Sequence, residues 1–101
     1  MATFGIVHTF RGGTQEQYEN ALKVVHPDGG AGLPDGQLLH LAGPSEDGWV
    51  VVAVHESKAS WEKFRDGILL AGLASVEDGL PAPPEETSFE VAKFQTAHRS
   101  T

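Results

Sequence analysis

Histidine is the residue type most able to do chemistry in this chain. Five of its 101 residues are histidine, and imidazole is the side chain that gains and loses a proton near neutral pH. His8, His40 and His55 fall in stretches that read as strands. Two imidazoles sharing a mostly apolar cavity would make an acid–base unit, or half of a metal site. Each is also readable as a hydrogen-bonded core or rim residue. His55 and Glu56 open the run His-Glu-Ser-Lys-Ala, which lacks the second histidine of a helical zinc-binding pair. No metal set is therefore assigned, and nothing calls for a cofactor. The absence of cysteine removes disulfides, thiolate nucleophiles and cysteine-ligated zinc or iron–sulfur centres.

Other side chains are placed around this set. Arg11, just before Gly12-Gly13, either guards a pocket mouth and holds an anion or stands solvated in a turn. Trp49 faces the presumed cavity and would line it, whereas Trp61 and Tyr18 read as core residues. His26 sits at the end of a helix, where a cation meets the negative end of the dipole, and reads as structural. His98 lies in the tail and is given no role. The glycines at 29, 30, 32 and 36 lack the Gly-Lys-Ser/Thr ending of a phosphate loop.

The elements that position these residues follow from patterning. Thr3–Phe10 is a strand. Thr14-x-x-Gln17 is a capping box for a helix with Tyr18, Ala21, Leu22 and Val25 on one stripe. Pro27 ends that helix near His26. Residues 27–36 are a loop, Gln37–Ala42 a strand, 43–48 a turn and Trp49–His55 the most apolar strand. Ser57 caps a second helix with the stripe Trp61, Phe64 and Ile68, expected to end or bend between 70 and 77 because of Gly67 and Gly72. Residues 79–84 form a rigid connector. Ser88–Gln95 is the last strand, and 96–101 are expected to fray. The order strand, helix, strand, strand, helix, strand is the ferredoxin-like, split βαβ pattern of an α+β sandwich. One domain spans 1–101.

In that topology the first and third strands are expected side by side and parallel, with His8 and His55 near the same end. At ~4.8 Å between neighbouring strands the two rings would then touch if they share a face. Pairing Ala42 with Trp49 puts His40 opposite Val51, on the same face as His55 but about 13 Å from it. This histidine face is assigned to an interior between two packed sheets. The reason is that both faces of the third strand are apolar, Val50, Val52 and Val54 on one and Trp49, Val51 and Ala53 on the other. One chain cannot cover both, so a homodimer packed sheet to sheet is expected. The net charge of −7, with no Lys/Arg cluster, argues against nucleic acid and anionic membranes as partners. No basic, apolar leader and no run of ~18 apolar residues is present, so a cytoplasmic location is expected.

Phe4-Gly-Ile-Val-His8, Gly12-Gly13-Thr14-x-x-Gln17-Tyr18, Leu39-His40-Leu-Ala-Gly-Pro44 with Gly48-Trp49, and Val54-His55-Glu56-Ser57 to Trp61-x-x-Phe64 resemble small actinobacterial dimeric α+β barrel proteins. These are grouped with the antibiotic biosynthesis monooxygenase-like superfamily. The resemblance covers nearly the whole chain and implies the fold and the dimer. It leaves activity open, because cofactor-free oxygenases, haem degraders and isomerases share this scaffold. The haem-degrading branch is a poor match: Asn20 is the only asparagine, and residues 57–78 contain no histidine. The resemblance implies a cofactor-independent enzyme of monooxygenase or isomerase type for an aromatic or polyketide-like small molecule. His8 and His55 would handle protons, and His40, Trp49 and Arg11 would bind substrate. A non-catalytic small-molecule-binding homodimer and a histidine-based metal-binding barrel are the alternatives.

Overall fold

The structure is a computed structural model and describes residues 3–81 and 84–95. The tail expected to fray, with His98, lies outside the described residues, as does the middle of the 79–84 connector. The elements are β1 (Thr3–Arg11), α1 (Gln15–Val25), a short 3-10 turn (Asp28–Gly30), β2 (Gln37–Ser45), β3 (Gly48–His55), α2 (Lys58–Phe64), a π turn (Arg65–Leu69), α3 (Leu70–Ser75) and β4 (Glu85–Val91). The expected ferredoxin-like α+β architecture is present as one four-stranded sheet in the order β2-β3-β1-β4.

All neighbouring strands are antiparallel. The expectation that β1 and β3 run parallel is overturned. In a split βαβ unit the helix returns the chain so that β1 and β2 share a direction, and the hairpin then reverses β3. The register pairs Phe4 with His55 and His8 with Val51. His8 and His55 do share a face, but they lie four residues apart along the ladder, about 13 Å. They cannot touch.

The β2–β3 hairpin is also longer than expected. Its turn is tight, with Ser45 opposite Gly48 and Ala42 opposite Val51 rather than Trp49. Gly48 has φ +143°, a conformation open to glycine, and the amide of the neighbouring Gly12 donates to Asp47 O at 2.8 Å. Pro44 is tolerated because β2 is an edge strand. β4 is the other edge and starts at Glu85, three residues before the expected Ser88. Its first residues are fixed by charge rather than by apolar patterning: Glu85 accepts from Arg11 and Glu86 pairs with His8.

Both predicted helix starts hold at the atomic level. The Gln17 amide donates to Thr14 Oγ1 at 3.2 Å, and the Thr14 amide donates to Gln17 Oε1 at 3.0 Å. Ser57 Oγ accepts from the Ser60 amide at 3.0 Å. The second helical segment ends at Ser75, within the expected 70–77, and it also bends before that, at Arg65–Leu69 around Gly67. A π turn inserts one extra residue and rotates everything after it by about 100°. Ile68, expected on the apolar stripe, is consequently exposed, and Leu69 packs against the core in its place.

The core is Phe4, Ile6, Val25, Trp61 and Phe64, between the sheet and the helices. Each such side chain contributes about 1.5–3 kcal/mol on burial. The other sheet face carries Val7, Val50, Val52, Leu41 and Phe89. Leu41 is 54 % exposed and Phe89 48 % exposed. Phe89 crosses over Gly5, where a β-carbon would stand 2.6 Å from its ring. That face of a single chain is apolar and open.

Candidate functional site

The even-numbered residues of β1 and the odd-numbered residues of β3 point toward the helices. His8, Val51, Ala53 and His55 therefore lie on the helix side, and so does His40, opposite Ala53. The expected location between two sheets is overturned: α1, α2 and α3 cover the histidine face. Trp61 lies against His55, their ring centres 5.6 Å apart, and Tyr18 lies against Trp49 at 5.1 Å.

A cavity of about 60 Å³ sits between sheet and helices. Most of its wall is apolar. Its polar members are His8, Tyr18, His26, Gln37 and His40. His55 does not line it. That ring is fully buried beneath, between Gln37, Ser60 and Trp61.

Gln37 reaches this side through a β-bulge. Strict alternation from His40 would turn residue 37 to the opposite face. The register shift between Gln37 and Leu39 leaves Leu38 outside and brings Gln37 opposite His55. A continuous chain of side-chain hydrogen bonds results. Tyr18 O–H donates to His40 Nε2 at 2.5 Å. His40 Nδ1 meets Gln37 Oε1 at 3.1 Å, Gln37 Nε2 meets His55 Nε2 at 3.2 Å, and His55 Nδ1 meets Ser60 Oγ at 3.1 Å. His26 stands edge-on to His40, ring centres 4.6 Å apart, with its own Nδ1–H donated to Gly32 O at 3.0 Å.

Burial holds these three imidazoles neutral. It lowers His40 to about 4, with repulsion from His26 adding to the effect. It lowers His55 and His26 as well. His26 does end α1, as expected, but it lies among aromatic rings and only 6 % exposed, so it is a neutral ring there and not a cation. Burial raises Tyr18, so its phenol remains protonated.

His8 is held differently. Its Nε2–H donates to Glu86 Oε1 at 2.7 Å, and the ring packs on Phe10 and Trp61. The carboxylate fixes the tautomer and leaves Nδ1 as the lone pair. Arg11 is on the opposite face, paired with Glu85 at 2.5 Å in solvent, and takes no part in this cavity. Trp49 is buried under Tyr18 with its indole N–H unpartnered among the described residues. It supports the cavity wall rather than forming it. Among the described residues no three His, Asp or Glu side chains stand together as a metal set.

Sequence reasoning missed four members. Tyr18 was assigned to the core, although its place after the capping box could have shown it at the helix entry. Gln37 was hidden by the bulge. Glu86 lay ahead of the expected start of β4. Ser60, three residues after the cap, carries no pattern that marks it.

A second, open groove of about 610 Å³ lies beside the first cavity, between the 26–36 loop and α2. Asp35, Glu56, Ser60 and Lys63 line it, together with His26. Ser60 thus ends the hydrogen-bond chain at the groove.

No family model matches the chain, and no curated protein matches it significantly. Two solved structures do. One, from Chloroflexus aurantiacus J-10-fl, bears the provisional name antibiotic biosynthesis monooxygenase. It is 17 % identical, with a TM-score of 0.62 over 94 % of this chain and 98 % of that one. The other is Rv0793 from Mycobacterium tuberculosis, 18 % identical, with a TM-score of 0.60 over 97 % of this chain and 100 % of that one. The chain shares their fold along nearly its full length, which is the fold implied by the superfamily resemblance.

Proposed function

We propose that this chain is a cytoplasmic, homodimeric, cofactor-independent enzyme that removes a proton from a small aromatic or polyketide-like substrate. The pairing of His8 with Glu86 at the wall of an apolar cavity carries this reading. A carboxylate on one ring nitrogen leaves the other as a base and stabilises the imidazolium that forms. The substrate proton moves to His8 Nδ1, and the electron pair stays on the substrate. The resulting anion either reacts with dioxygen or takes a proton back at another carbon. In the first case a CH2 group becomes a carbonyl, one oxygen atom is incorporated and the other leaves as water, so no external reductant is needed. His55, buried away from the cavity, orients Gln37 and His40 from beneath and does not itself take the substrate proton. The name of the Chloroflexus structure favours the oxygen-dependent course.

The apolar open face supports the homodimer, since Val52, Leu41 and Phe89 together form a patch that a second sheet would cover. Among the described residues no helix is long and apolar enough to cross a membrane.

Oxygen consumption and product formation with hydroxylated aromatics test the reading. His8→Gln should lower turnover by about 10²–10⁴-fold while the far-UV spectrum is unchanged. Equal turnover in His8→Gln removes the assignment. The small, mostly apolar cavity also suits a second reading, a non-catalytic protein that holds a single-ring ligand, because about 60 Å³ is less than a bicyclic ligand needs. Saturable binding with no turnover across the panel would select it.

A further inference from the structure

The chain Tyr18–His40–Gln37–His55–Ser60 has a direction. A neutral imidazole has one donor nitrogen and one acceptor nitrogen. Tyr18 keeps its proton and donates it to His40 Nε2, so the proton of His40 is on Nδ1 and goes to Gln37 Oε1. The Gln37 amide then gives Nε2–H to His55 Nε2, which puts the proton of His55 on Nδ1, facing Ser60 Oγ. Every donor meets an acceptor, and every one points from the cavity toward the groove.

Only one residue can reverse this order. An amide turned end over end would offer N–H to His40 Nδ1 and C=O to His55 Nε2. Both rings would then change tautomer. Ser60 would donate to His55, and His40 Nε2–H would donate to Tyr18, freeing the phenol proton for the cavity. Ser60 opens onto the groove, where Asp35 and Glu56 offer acceptors and Lys63 a donor, so the far end of the chain is free to take either sense and Gln37 decides between them. Gln37 is 7 % exposed, and its side chain bonds to both rings at once.

We propose that Gln37 is a positioning residue that fixes the direction of this chain, so that Tyr18 meets the cavity as a lone-pair acceptor and selects ligands that bring a hydrogen-bond donor to it. This deepens the reading above by stating what the substrate must present. A hydroxyl or N–H group next to the phenol oxygen is accepted. An ether or carbonyl in the same place leaves two acceptors facing each other, which costs affinity.

The test begins without any ligand. Long-range proton–nitrogen spectra of ¹⁵N-histidine-labelled protein at pH 7.5 should show His40 and His55 both protonated on Nδ1 and bare on Nε2. Protonated Nε2 in either ring overturns the proposal. In Gln37→Glu the carboxylate accepts from both sides, so His55 should gain a proton on Nε2 while His40 stays as it was. A His55 signal unchanged in the folded variant also overturns it. The second arm titrates phenol and anisole as probes, followed by tryptophan fluorescence. Phenol should bind about tenfold more tightly, and Tyr18→Phe should abolish the difference. Equal or tighter binding of anisole to the unaltered protein contradicts the proposal. The tautomer arm needs no turnover, so it is decided whether or not His8 proves to be the base.

Discussion

Lowering the pH should destabilise the protein through His40, by an amount that can be worked out. The ring titrates at 6.5 when free and at about 4 in the fold. Its folded value is depressed, so the unfolded chain binds more protons across that interval. The stabilisation is complete above pH 6.5 and is lost as the pH falls toward 4. The full gap corresponds to about 3 kcal/mol. His40 is only partly buried, and solvent screening reduces this to about 2 kcal/mol. Urea unfolding followed by tryptophan fluorescence at pH 7.5, 5.5 and 4 measures it directly. The comparison is with His40→Gln, which cannot charge but can still bond to Tyr18 and Gln37. His26 and His55 are lowered in both proteins and shift both curves the same way. The unaltered protein should therefore lose about 2 kcal/mol more than the variant between pH 7.5 and 4. Parallel losses in the two proteins would refute the argument that burial holds this ring neutral.

Other outcomes follow from the packing. Val52→Glu, placed in the middle of the open sheet face, should convert a dimer to a monomer in light scattering and leave the circular dichroism intact; a persistent dimer would locate the interface elsewhere. Gly5→Ala should cost about 1–3 kcal/mol through overpacking against the Phe89 ring. The double variant with Phe89→Ala should show most of that cost relieved in the same urea assay. Trp61→Ala, at 3 % exposure, should cost about 3–5 kcal/mol, and a loss below 1 kcal/mol would contradict its place in the core.

Much of the architecture was legible because local chemistry dictated it. Thr14 and Ser57 mark helix starts through their own hydroxyls, and Pro27 limits the first helix. Strand parity puts His40 and His55 on one face and leaves the face of His8 open, which the β1–β3 register then decides. The rest was not legible. The order of elements does not by itself give strand direction, and a parallel β1–β3 pair would bring His8 to His55, which the antiparallel register keeps apart. The bulge at Leu38 and the π turn at Arg65–Leu69 each insert one residue, and either insertion moves later side chains to another face. Nothing in the composition of Gln37-Leu38-Leu39 marks the bulge. The partner of His8 was missed for a related reason: Glu86 belongs to an edge strand whose charged beginning does not read as a strand.

The direct test of the account is to find where a small aromatic molecule binds. Amide and side-chain shift changes on titration with phenol should concentrate at His8, Tyr18, His40 and Leu73 around the cavity between sheet and helices. Changes confined to Leu41, Val52 and Phe89 would place the binding site on the open face of the sheet and contradict it.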